Sequence, residues 1–279
     1  MMKKQTVILI IAGLTSIAIL FFVFMGRDIR ATPQVDANNA LVVSLKSDKV
    51  ILEEKADQAV PIASLTKLMT AYLMLEAIHN KTISWDDMVS LERLDDPRAV
   101  SLYALSGKKY YSVQDLFAAM MIMSANDGAQ SLGAHLDGEH FTEKMMQKAR
   151  EIGMSKKTNF SSASGLDVDG KESMSTASDL MILTKKLISD YPEILDITSR
   201  TKYVTQSDDT IHTTNQVLQD GGVQGMDGFK TGYTDQAGYC MIATAVQNED
   251  RIISITLGSK TDEDRIKATE TMMDYGFSK

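Results

Sequence analysis

The stretch that most constrains the fold is Ser64-Leu65-Thr66-Lys67-Leu68-Met69-Thr70-Ala71-Tyr72-Leu73-Met74-Leu75-Glu76-Ala77. Pro61 lies just upstream, where a proline and its neighbour disfavour a continuing helix, and the residues beyond it are almost all good helix formers. A helix is therefore expected to begin near Ser64. It is apolar on nearly every side, the pattern of a helix buried in the middle of a domain rather than lying on its surface. The rest of the chain has to be arranged around it. Lys67 is out of place there, because an ammonium is costly to bury. Three residues separate it from Ser64, so hydroxyl and amine share one side of the first turn, within reach of each other.

The chain has 279 residues, room for one large domain or two small ones with a substantial core. A formal net charge of −8 and the lack of basic runs argue against a nucleic-acid partner. The single cysteine, Cys240, excludes an intramolecular disulfide and a cysteine-based metal site. Compartment has to be read from the N-terminus. Lys3 and Lys4 precede an uncharged apolar run from Val7 to Met25, followed by Gly26, Arg27 and Asp28. As a helix that run spans about 28 Å, close to the hydrocarbon thickness of a bilayer. No good cleavage site follows Met25, which favours an uncleaved membrane anchor over residues 1–26 rather than a cleaved signal peptide. A lone N-terminal segment of this kind normally exports the domain behind it. The domain is then expected on the outer side of the cell membrane, or secreted if the segment is cleaved.

Residues 27–36 read as a linker, and 37–279 as the folded domain. Ala40 to Ser44 and Val50 to Glu53 flank a polar turn, the pattern of a β-hairpin. From Trp85 to about Leu195 helices dominate. Ser112 to Asp115 has capping-box spacing ahead of the apolar helix Leu116 to Met123. Ser124-Ala125-Asn126-Asp127-Gly128 then breaks the pattern before Ala129 to Leu136 resumes it, which puts Ser124 and Asn126 in a tight bend. Thr142 to Ile152 is a further helix, Asn159 to Gly170 a loop, and Ser175 or Thr176 caps a helix through Ser189. Strands follow at Lys202 to Thr205, Thr210 to Thr214, Phe229 to Thr234, Tyr239 to Val246 and Arg251 to Leu257, with a closing helix over Asp262 to Phe277. One antiparallel sheet built from both chain ends is expected, about 37–80 and 196–279, with a helical insertion at about 81–195.

Three short motifs carry chemistry. S-x-x-K occurs at Ser64 to Lys67, Ser106 to Lys109 and Ser199 to Lys202, but only the first opens a buried helix. A Lys-Thr pair begins at Lys81, Lys157, Lys230 and Lys260, and only Lys230-Thr231 is followed by glycine. Gly232 sits within an expected strand, where glycine often marks close approach by a ligand or another backbone. S-x-N occurs once, at Ser124 to Asn126. Singly these are a cap, a bulge and a turn. In this order, on a helix start, an interhelical bend and a strand, they match the set used by class A β-lactamases and penicillin-binding proteins. Ala125 in the central position, where that set has aspartate, fits the penicillin-binding side better.

The chain resembles the D-alanyl-D-alanine carboxypeptidases, low-molecular-mass penicillin-binding proteins of the S11 serine peptidase family. Asn159-Phe160, Ser164 to Asp167, Ser175 to Ala177 with Asp179-Leu180, Thr214-Asn215, Lys230 to Asp235 and Ala237 to Tyr239 also resemble family signatures. The resemblance implies a β-lactamase/transpeptidase-like fold, an antiparallel five-stranded sheet flanked by helices with a helical insertion. It implies hydrolysis of peptidoglycan stem peptides ending in D-Ala-D-Ala, covalent inhibition by β-lactams, and no cofactor or metal. Ser64 would be the nucleophile and Lys67 its base, favoured in the neutral form by burial and by a second ammonium at Lys230. Backbone N–H groups of Ser64 and Tyr233 would hold the oxyanion, and Ser124 would pass a proton to the leaving amine. Asn126 would hold the substrate amide, and Lys230 and Thr231 the carboxylate end, beside Gly232. Arg265 is either a guanidinium partner for that carboxylate or a solvated first-turn arginine. Two alternatives stand beside this reading. One is a class A-like β-lactamase, against which no E-x-x-L-N stretch lies between Asn126 and Lys230. The other is a catalytically inactive, membrane-tethered peptidoglycan-binding protein.

Overall fold

The computed structural model describes residues 31–279. The apolar run expected to anchor the chain in a membrane lies outside the described residues, and among those described no helix is long and apolar enough to cross a membrane. In chain order the elements are β1 (Asn39–Ser44), β2 (Lys49–Glu54), β3 (Val60–Pro61), a 3-10 turn (Ala63–Thr66) and α1 (Lys67–His79). Next come β4 (Met88–Ser90), α2 (Leu102–Ser106), β5 (Tyr110–Ser112), α3 (Val113–Ile122), α4 (Asn126–Asp137) and α5 (Phe141–Glu151). A long loop leads to β6 (Met174–Ser175), α6 (Ala177–Asp190), α7 (Ile194–Thr198), β7 (Lys202–Val204), β8 (Thr210–His212) and α8 (Gln216–Asp220). The chain closes with β9 (Met226–Thr234), β10 (Gly238–Gln247), β11 (Asp250–Ser259) and α9 (Asp262–Phe277).

The main sheet has the order β2-β1-β11-β10-β9, antiparallel throughout, so both ends of the chain build it and β9 forms one edge. Alternation along its strands separates two apolar faces. Ala40, Val42, Met241, Ala243, Ala245 and Ile252 pack with Met272 and Met273 of α9. Leu41, Val43, Ile242, Ile253, Ile255 and Leu257 face the larger core, which continues into the helical region. At the centre of that core lies α1. Contacts with α3, α4, α5 and α6 ring it, and Leu68, Met69, Leu73, Met74 and Leu75 are fully buried. An apolar helix without a polar face is stable only in such a sleeve.

The structure departs from the sequence reading in one architectural respect. The strands β7 and β8 were expected among those that follow Thr201 in the sheet, yet they pair with each other in a separate hairpin that packs on α3. The physical reason is composition. Lys202-Tyr203-Val204 and Thr210-Ile211-His212 bury only Ile211 and half-bury Tyr203, too little apolar surface for a sheet covered on both faces. The caps follow the sequence closely. Ser112 accepts from the Asp115 N–H at the start of α3, and Thr176, rather than Ser175, accepts from the Asp179 N–H at the start of α6.

Because α1 is enclosed on all sides, truncating it leaves a cavity that neighbouring helices cannot fill. Leu73→Ala is expected to cost about 2–5 kcal/mol in urea denaturation, whereas Val50→Ala on the exposed face of β2 should stay within about 0.5 kcal/mol.

Candidate active site

The turn before α1 meets the edge strand β9 at very short range. A Cβ at Gly232 would stand 3.2 Å from the Ser64 backbone nitrogen and 3.2 Å from the Ile62 carbonyl oxygen. Glycine in this strand therefore marks the approach of another backbone, one of the two meanings its position carries in the sequence. A second glycine presses from the loop. Gly165, at φ +83°, would place a Cβ 2.0 Å from the Ala63 carbonyl oxygen. Ala63 itself is left-handed at φ +46°, and so is Ser124 at φ +66°. Non-glycine residues in this region cost about 1–3 kcal/mol and cluster where function fixes the backbone.

Lys67 is completely buried, and its Nζ lies 2.8 Å from Ser64 Oγ, 2.7 Å from Asn126 Oδ1 and 2.7 Å from the Ser164 carbonyl oxygen. A carbonyl can only accept, so two of the amine's three tetrahedral directions are committed to N–H donation, with Asn126 Oδ1 as the second acceptor. The third points at the Ser64 hydroxyl. In the neutral lysine that direction carries the lone pair, and the hydroxyl donates to it. Burial holds the Lys67 amine well below the usual lysine range, the Lys230 ammonium adds to this, and Asp127 opposes it.

Lys230 is also buried, donates to the Thr231 carbonyl at 3.0 Å, and is pushed down to about 7 by burial and by the Arg265 guanidinium. The S-x-N bend joins α3 to α4 and brings Ser124 and Asn126 to the same place as Ser64. Together with Thr231, Gly232, Tyr233 and Arg265 these residues line a cleft of about 250 Å³. None of the four histidines lines it.

Arg265 is not a solvated first-turn arginine. It is buried, its Nη1 lies 3.4 Å from the carbonyl oxygens of Gly232 and Cys240, its Nη2 donates to Asp262, and its Cζ stands 5.4 Å from the Tyr239 ring centroid. Its Nε is buried without a partner.

Three further groups escape sequence reasoning. Asp127 is fully buried and accepts from Ser101 Oγ and from the N–H groups of Leu102, Tyr103 and Gly128, which ties the segment above the cleft to the start of α4. Its signal was present, an acidic residue in a first helical turn. Thr214 shares a 2.6 Å hydrogen bond with the Thr231 hydroxyl, and Arg98 reaches the cleft from a loop with no local signature.

Comparison with known proteins fits this geometry. The family model described as D-alanyl-D-alanine carboxypeptidase matches residues 27–261. The chain belongs to that family. It is 34% identical over 262 residues to D-alanyl-D-alanine carboxypeptidase DacC of Escherichia coli, covering 91% of this chain and 64% of the relative. The chain thus spans just under two thirds of that relative's length. A D-alanyl-D-alanine endopeptidase of Escherichia coli is 30% identical, with 81% of this chain and 72% of the relative covered. Among solved structures, penicillin-binding protein D2 of Listeria monocytogenes, in its cefotaxime-bound form, is 50% identical with a TM-score of 0.86, over 89% of this chain and 100% of that one.

The buried lysines leave a thermodynamic signature. A folded-state value near 7 for Lys230, against 10.5 in the unfolded chain, means that the unfolded state binds more protons between those limits. Stability against urea is expected to rise with pH from about 7 towards 10, and Lys230→Met should flatten that rise.

Proposed function

We propose that this chain is a serine-type D-Ala-D-Ala carboxypeptidase, which removes the terminal D-alanine from peptidoglycan stem peptides through an acyl-enzyme on Ser64 and is inhibited covalently by β-lactams. The observation that carries the reading is the Lys67 amine, buried, with two directions committed to fixed acceptors and the third aimed at Ser64 Oγ. Support for the β-lactam part comes from the Listeria relative, whose structures hold cefotaxime and ampicillin.

In this mechanism Ser64 Oγ attacks the carbonyl carbon of the penultimate D-alanine while Lys67 takes the hydroxyl proton. The oxyanion is held by the backbone N–H groups of Ser64 and Tyr233, each such donor being worth about 3–4 kcal/mol. The C–N bond then breaks, and Ser124 relays a proton to the departing D-alanine amine. Water adds to the ester, the Ser64 Oγ–acyl bond breaks, and the shortened peptide leaves. Asn126 spends its Oδ1 on Lys67, so its Nδ2 is the group that holds the substrate amide through a carbonyl. The substrate carboxylate is bound at the Thr231 hydroxyl, with Thr214 orienting that hydroxyl and Arg265 behind it. Lys230 contributes through its charge from beneath rather than as a lining group.

The N-terminal run supplies the tether, holding the catalytic domain at the outer surface of the bacterial membrane. Fractionation of cells is expected to leave the full-length chain in the membrane pellet, and a soluble, shortened product would assign the run to a cleaved signal.

A fluorescent penicillin tests the chemistry. Wild type should label covalently and release the adduct slowly, Ser64→Ala should not label, and Lys67→Ala should acylate at least about 100-fold more slowly while still giving the circular-dichroism spectrum of a folded protein. Rapid turnover of penicillin without a trapped adduct would favour the β-lactamase reading, and label on Ser64→Ala would remove Ser64 as nucleophile.

A further inference from the structure

One wall of the catalytic cleft has no regular structure of its own. Arg98 and Val100 line the cleft from the irregular stretch between β4 and α2. What holds this stretch is α4. The Glu92 N–H donates to Ser131 Oγ at 2.8 Å, and the Val100 carbonyl accepts from the Asn126 N–H at 2.7 Å. Immediately after Val100 the Asp127 carboxylate takes over. Its Oδ2 accepts from Ser101 Oγ at 2.7 Å and from the Tyr103 N–H at 2.8 Å, while Oδ1 accepts from the Leu102 N–H at 3.0 Å and the Gly128 N–H at 2.8 Å. One fully buried side chain thus joins the first turn of α2 to the first turn of α4.

The arrangement asks for a carboxylate. All four partners donate, and three of them are backbone N–H groups that cannot turn round to accept. An asparagine in either orientation would aim its NH2 at one or two of those N–H groups. None of the four partners is a cation, and the charge of Asp127 acts on Lys67. There it favours the ammonium, against burial and Lys230, which favour the neutral amine. Other charges on the helices around α1 are engaged elsewhere: Asp115 of α3 by the Tyr203 hydroxyl, Lys148 of α5 by Glu76 and Glu151, and Asp179 and Asp190 of α6 by the Ser155 and Tyr72 hydroxyls. Asp127 also follows Asn126 directly, and Asn126 reaches Val100 through its backbone and Lys67 through its Oδ1. A displaced carboxylate would therefore shift the cleft wall, the amide and the amine together.

We propose that Asp127 is a positioning residue for the acylation of Ser64: its carboxylate clamps the Val100 wall to the head of α4, fixes Asn126 against Lys67, and sets a negative charge within range of the amine. The proposal rests on the Ser64 acyl-enzyme reading above and adds to it a group that touches neither substrate nor Ser64.

The test follows the second-order rate constant for acylation by a fluorescent penicillin as a function of pH. At the optimum, Asp127→Asn is expected to acylate about tenfold more slowly, because misplaced positioning groups are felt directly in the rate. Its acid limb, where Lys67 must lose its proton to act as base, should move to lower pH, since the charge that favours the ammonium has gone. Loosening of the fold alone would hydrate the amine and move that limb the other way, towards an ordinary lysine. Ser101→Ala removes one of the four hydrogen bonds and no charge, so it should slow acylation about threefold and leave the limb in place. Wild-type rates in both variants would overturn the proposal, and so would an acid limb that stays or rises in Asp127→Asn. If Asp127→Asn lacks the circular-dichroism spectrum of a folded protein, Ser101→Ala decides alone, and a wild-type rate in it overturns the proposal. A wild type that takes no label defeats the acyl-enzyme reading itself, whereas a labelled wild type with unaltered variants defeats the role of Asp127 alone.

Discussion

Everything at this site follows from placing an amine where water cannot reach it. A lysine in water is protonated and useless as a base near neutral pH, and depriving it of solvent is the most direct way to change that. The cost is met by structure: an apolar sleeve of four helices around α1, a backbone carbonyl at Ser164 and a side-chain amide at Asn126. A second buried lysine on β9 would be an odd choice for stability alone. Opposite the first it makes sense, since its positive charge disfavours protonation of Lys67.

Steric economy does the rest. Ser164 can present its carbonyl to Lys67 only because its neighbour Gly165 lets the loop lie against Ala63, and the lack of a side chain at Gly232 lets Ser64 approach β9 without displacing either backbone. Two left-handed non-glycine residues, Ala63 and Ser124, absorb the strain of bringing these backbones together. Ala63 precedes Ser64, and Ser124 is itself one of the groups that the chemistry would use. The surrounding helices and sheet hold them there, which is how a folded protein keeps a conformation that a short peptide would abandon.

Much of this could be read from residues whose signal is local. The apolar stretch after Ser64 announced a buried helix, the break at Ser124 to Gly128 announced a bend, and Gly232 in a strand announced close approach. What stayed hidden depends on partners distant in sequence. Nothing near Ser164 says that its carbonyl meets Lys67, and nothing near Arg98 says that it reaches the cleft. Arg265 was ambiguous for the same reason, because burial of a first-turn arginine is decided by the strands above it rather than by its own helix. The hairpin of Lys202–Val204 and Thr210–His212 shows the opposite failure. Its residues have strand character, yet strand propensity does not name a partner, and tertiary packing sent it to α3.

The contacts of Lys67 span 59 residues to Asn126 and 97 to Ser164, and the strand bearing Lys230 lies farther still. Contacts of such long range form only once intervening segments have settled. On the proposed mechanism an unfolded chain therefore carries Ser64 as an ordinary alcohol, inert towards peptides and β-lactams alike. On that mechanism reactivity switches on with the last long-range contact, which would make covalent labelling of Ser64 a chemical clock for the folding of the domain.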